Sequence, residues 1–183
     1  LYTISLVIVL LYTTTLFFVA QRKNDNSIID IGYGLGFIIT AYTLTLVKLT
    51  DSPLSVYSSL ILLLITLWGA RLTYRIYQKN KGKPEDFRYA AWRELWKKKG
   101  RIYYIMRAYL QIFALQGIII SIVLLPFTLS LAHYPLQTNF IFIGLALWMI
   151  GFFFEVIGDY QLDTFIKNKN KTSSIMTTGL WKY

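Results

Sequence analysis

Apolar residues along this chain fall into five long runs, separated by short polar stretches and one long basic one. The runs cover residues 3 to 20, 28 to 47, 54 to 76, 108 to 131 and 139 to 161. A nearly uncharged run of about 18 residues or more can cross a hydrocarbon core of about 30 Å. Water is absent there, so each run must satisfy its own backbone groups, which predicts a helix for each. The pattern therefore predicts an all-α, polytopic transmembrane helix bundle of about five spans, as a single domain over residues 1 to 183.

The polar connections alternate in charge. The first carries Arg22 and Lys23, the second only Lys48, and the third is strongly basic. The fourth, His133 to Gln137, has no Lys or Arg, and the fifth carries Lys167, Lys169 and Lys171 before Lys182. Cytoplasmic loops collect Lys and Arg, so the N-terminus is expected outside and the first, third and fifth connections in the cytoplasm. Asn170-Lys171-Thr172 matches a glycosylation sequon, but that topology places it in the cytoplasm, where it reads as chance.

Composition agrees with the pattern: 55% of residues are hydrophobic and 15% charged. With no cysteine and one histidine, disulfides, thiolate chemistry and a conventional His/Cys zinc site are excluded within these residues. The net charge of +10 changes the picture only through its location. Residues 71 to 107 hold twelve Lys/Arg and three acids, nearly the whole excess. Between two spans this reads as a loop facing anionic membrane lipids, and no nucleic-acid partner is expected.

That loop also carries a helical pattern. Pro84 suits a first turn, with Glu85 and Asp86 favourable to the dipole, and Lys97, Lys98, Lys99 and Gly100 suit the far end. Phe87, Ala91 and Leu95 recur every four residues, flanked by Trp92 and Trp96. An amphipathic interfacial helix is expected, either as an anchor alone or also closing a cytoplasmic binding site.

Ionisable groups inside a span are costly and usually face the bundle interior. Glu155 and Asp159 in the fifth run are four apart, on one helical face with Gly151 and Gly158 nearby. Either they form ion pairs with Arg71 or Arg75, or they belong to a ligand site. Arg71 and Arg75 share a face near the end of the third run, suited to snorkelling or to clamping phosphate. Asp30 opens the second run, favoured by the helix dipole or as a site residue. Gly32 and Gly36 read as a helix-packing face, since no strand precedes them as a dinucleotide fingerprint requires.

Five stretches carry a family resemblance: Asn26-Ser27-Ile28-Ile29-Asp30 with Gly34-Leu35-Gly36-Phe37, Trp68-Gly69-Ala70-Arg71-Leu72, Glu85-Asp86-Phe87-Arg88-Tyr89, Phe154-Glu155 with Asp159-Tyr160-Gln161-Leu162, and Gly179-Leu180-Trp181-Lys182-Tyr183. In these the chain resembles the uncharacterised membrane branch of the steroid 5-alpha-reductase C-terminal-like family. The resemblance implies a bundle of about seven helices that binds NADPH from the cytoplasmic side. It also implies reduction of a carbon–carbon double bond conjugated to a carbonyl in a hydrophobic, lipid-like substrate. It places Glu155 and Asp159 near the cofactor, and Arg71 falls at a matching arginine; these three are expected to position the cofactor, and Asp30 is the further candidate, near substrate. Glu155 departs from the asparagine of the steroid enzymes, which leaves the nucleotide contact at that position open. In the family, Ser-Arg-His-Pro-Asn-Tyr follows, with one or two more helices, so the sequence is expected to stop short of part of the cofactor site. The other readings are an S-adenosylmethionine-dependent lipid or isoprenoid methyltransferase, and a non-enzymatic membrane protein or small transporter.

Overall fold

A computed structural model describes residues 1–132, 138–167 and 175–182. The connection His133 to Gln137, Lys169, Lys171, the sequon at Asn170 and Tyr183 lie outside the described residues. The chain divides into two compact units, Leu1–Pro135 and Leu136–Tyr183.

The first unit is a helix bundle. Its elements are α1 (Tyr2–Lys23), α2 (Ile28–Leu49), α3 (Val56–Asn80), α4 (Phe87–Lys97), α5 (Arg101–Ala108), a π-helical stretch (Tyr109–Ala114), α6 (Leu115–Val123) and α7 (Leu125–Leu131). The second unit holds α8 (Thr138–Lys167) and a 3-10 turn at Gly179–Lys182. Five of the described helical stretches are long and apolar enough to cross a membrane. The fourth is Arg101–Val123, in which α5, the π stretch and α6 run on as one rod. It starts seven residues before the expected 108 and ends eight before 131. Near Leu124 and Pro126 the chain starts the separate short helix α7 instead. Proline lacks the N–H that would continue the earlier helix.

Helix contacts follow the small residues. On α1 the buried side chains are Ser5, Val9, Thr13, Phe17 and Ala20, a single stripe. Gly117 of α6 packs on that stripe: a Cβ there would stand 3.2 Å from Thr13 Oγ1 and 3.3 Å from Val9 Cγ1. The glycines of α2 serve two neighbours. Gly32 and Gly36 lie against α1, where Tyr12 Oη donates to the Gly32 carbonyl at 2.6 Å. Gly34 faces α3, and a Cβ on it would overlap the Gly69 carbonyl oxygen. Close backbone approach is how apolar helices gain packing in lipid, where no hydrophobic drive separates them from the tails.

Two apolar cores result. One, at the end bearing the basic loop, joins Phe17, Ala20, Ile29, Tyr89, Trp96, Tyr104, Ala108, Ile112 and Phe113. The other joins Val9, Phe37, Ala41, Leu44, Ile120, Leu124, Phe127 and Leu131.

Helix α4 starts later than expected, and a face that the sequence did not single out docks on the bundle. Its N-cap is Asp86, whose side chain accepts from Arg88 N, so Pro84 and Glu85 precede the helix. Its buried residues are Tyr89, Arg93 and Trp96, not the Phe87, Ala91 and Leu95 stripe. Phe87 and Leu95 are 79% and 55% exposed, which leaves an apolar face outward while a second face holds the bundle.

Candidate ligand pocket

Asp30, in the first turn of α2, lies at the centre of a polar cluster built from three helices. Tyr89 Oη of α4 donates to Asp30 Oδ1 at 2.6 Å, and Gln116 Nε2 of α6 approaches the same oxygen at 3.4 Å. Arg88 Nη2 pairs with Asp30 Oδ2 at 3.5 Å and holds Asp86 through Nε at 2.9 Å. That hydrogen bond from Arg88 keeps the Asp86 carboxyl below its ordinary range. Burial, and then the bond to Asp30, push the Tyr89 phenol above its ordinary range. Tyr89 therefore stays protonated and acts as a fixed donor to Asp30.

A cavity of about 480 Å³ opens beside this cluster. Asp30, Asp86, Arg88, Lys79, Asn80 and Gln116 supply its polar lining, and Tyr33, Leu72, Ile76 and Ile119 the rest. The size lies within the range of about 300–1,000 Å³ usual for small-molecule sites. Gln116 Oε1 is enclosed and has no hydrogen-bond partner among the described residues. A buried acceptor left this way costs about 1–3 kcal/mol, so a donor arriving on a ligand would be favoured.

Helix α4 forms one wall and is fastened on its other side by a second cluster. Glu85 Oε1 accepts from Arg93 Nη2 and from the Asn26 backbone N–H, both at 2.7 Å. Arg93 Nη1 reaches Asn24 Oδ1 at 3.2 Å, and the guanidinium lies 5.8 Å from the Tyr104 ring centroid. Asn24 closes α1 in the left-handed region at φ 52, so the α1–α2 turn presents both asparagines to α4.

The remaining expected site residues are on other surfaces. Arg71 and Arg75 are partly buried on α3, and with Lys79 they make one stripe at four-residue spacing. On α8, Glu155 and Asp159 do share a face, and Asp163 continues it one turn on. Each of these three carboxylates and both arginines has an interaction partner. Within the second unit, Leu180 N donates to Gln161 Oε1 and Trp181 Nε1 to the Gly158 carbonyl, both at 2.9 Å. Gly179 there has φ +62 and no room for a Cβ beside Gln161. These bonds tie the Gly-Leu-Trp-Lys segment to α8.

A model of one protein family matches residues 16–183, from the second half of α1 through the 3-10 turn. The chain belongs to this family, DUF1295, whose proteins are of unknown function. No curated protein and no solved structure matches it. Every residue of the Asp30 pocket and of the α8 carboxylate stripe lies inside the matched DUF1295 region. Sequence reasoning reached Asp30 but gave no role to Tyr89, Arg88, Lys79 or Gln116. Gln116 did carry a signal, as an amide within a run of Leu, Ile and Ala.

Proposed function

We propose that this DUF1295 chain forms part of a membrane-embedded reductase that uses NADPH to reduce a conjugated double bond in a hydrophobic lipid. The observation that carries the reading is the composition of the Asp30 pocket. It puts two carboxylates, two cations and an unsatisfied amide oxygen against Leu72, Ile76 and Ile119. Such a site suits an amphiphile with one polar end.

The donor set is compatible with the cofactor, because Arg71, Arg75 and Lys79 on one stripe offer cations to phosphates. When bound, the nicotinamide supplies a hydride to the β-carbon of an enone. Arg88 and Lys79 would stabilise the negative charge that grows on the substrate carbonyl oxygen, and a proton taken up from water at the α-carbon would complete the reduction. Asp30, held by Tyr89 and Gln116, orients the substrate's polar end. The basic loop is proposed to face the cytoplasm.

The test uses the full-length protein in lipid: NADPH binding, then oxidation of NADPH at 340 nm with an enone lipid present. Asp30→Asn is expected to raise KM for the lipid by about tenfold or more and to leave NADPH affinity unchanged. Absence of NADPH binding by the intact wild type refutes the reading, and binding of S-adenosylmethionine instead replaces it with the methyltransferase.

A further inference from the structure

Tyr103, Arg107 and Gln111 recur every four residues along α5 and the π stretch, with Lys99 in the turn just before α5, outside the pocket and on the outer side of the bundle. The side chains are already tied together. Arg107 Nε donates to Tyr103 Oη at 3.1 Å and Nη1 to Gln111 Oε1 at 3.3 Å. Lys99 Nζ and the Arg107 guanidinium flank the Tyr103 ring, 5.2 and 5.7 Å from its centroid. Neither cation has a carboxylate partner among the described residues, and both are exposed.

Depth decides what meets them. Arg107 is the last charged residue before the uncharged stretch from Ala108 to Leu131. It stands about 9 Å along the helix axis from Arg101, at the 1.5 Å rise per residue. Around it Ile102, Met106 and Leu110 are 76%, 57% and 57% exposed. Acyl chains cover Leu110 and the apolar residues beyond it, so the guanidinium lies at headgroup depth, where a soluble polyanion cannot approach it closely. An arginine there needs an anion supplied by the bilayer, and its planar fork matches phosphate oxygens.

We propose that Lys99, Tyr103, Arg107 and Gln111 form a binding site for the phosphate of an anionic phospholipid. Tyr103 and Gln111 hold the arginine in place, so its remaining N–H groups are oriented before the lipid arrives. Lys99 sits above it, toward the water, where the headgroup's second charge or phosphate edge would lie.

The experiment equilibrates the full chain in nanodiscs of mixed phosphatidylglycerol and phosphatidylcholine and measures enrichment of each lipid on the released protein by mass spectrometry. A basic residue near a membrane surface is worth about 1 kcal/mol, which is about fivefold. Arg107→Gln and Lys99→Gln are each expected to lower phosphatidylglycerol enrichment by about fivefold. Lys81→Gln with Lys83→Gln removes twice that charge from the basic loop and is expected to change it by less than twofold. Equal losses in the two sets overturn the site in favour of diffuse attraction. Arg107→Lys keeps the charge without the fork and is expected to lose at least twofold. Full retention by Arg107→Lys likewise overturns the proposal, and that variant decides alone if the glutamine variants do not fold.

Discussion

Removing the Glu85 carboxylate tests whether α4 is held to the bundle by the buried pair. Arg93 and Glu85 have side chains only 8% and 11% exposed, and they meet at 2.7 Å. Among the described residues, Glu85→Ala would leave the enclosed guanidinium with only Asn24 as a hydrogen-bond partner, and Arg93 Nε already lacks one. It would also free the Asn26 N–H. Breaking a buried pair from one side costs about 3–5 kcal/mol, because an uncompensated charge remains. Replacing both partners by apolar residues of similar size often costs far less. Glu85→Ala is therefore expected to destabilise by about 3 kcal/mol or more, and Arg93→Met with Glu85→Met to recover most of that loss. Denaturant unfolding in detergent gives the free energies, and amide exchange over residues 87 to 97 shows whether α4 detaches first. A Glu85→Ala protein within about 0.5 kcal/mol of wild type, with unchanged α4 exchange, would refute the reasoning. So would a double variant no better than the single one.

Three further outcomes are expected. The docking contribution of Tyr89, whose folded pKa is raised, is full below its ordinary value of about 10 and is lost as pH rises through the folded value. Alkaline unfolding followed by α4 exchange should show this loss, and Tyr89→Phe should lack that component. Gly34→Ala forces a Cβ onto the Gly69 carbonyl and should lower the melting temperature clearly, whereas Gly144→Ala, which meets nothing within 4 Å, should not. Single cysteines at Lys98 and Gln137 should label from opposite faces of the membrane, Lys98 from the cytoplasm. Labelling of both from one face would remove the proposed orientation.

The number of apolar spans was legible in the sequence because the bilayer sets a length and forbids unpaired backbone. That constraint acts on each run separately, so no partner helix is needed to read it. The Gly32 and Gly36 face was legible for a related reason, since small residues in an apolar run exist to let another helix approach. The end of the fourth span was not, because Leu124 and Pro126 break a run whose apolar character continues unchanged. The bundle-facing side of α4 was not legible either. Periodicity picked out Phe87, Ala91 and Leu95, the side that stays outward, whereas Arg93 is buried because Glu85 and the α1–α2 turn neutralise it. Hydropathy assigns a buried arginine to the solvent side unless its partners are known, and those partners lie up to 69 residues away. Asp30 was a candidate from its position alone. Only the crossing of α2, α4 and α6 decided that Tyr89, Arg88 and Gln116 converge on it, because side chains so far apart in sequence are brought together by packing, which local pattern does not encode.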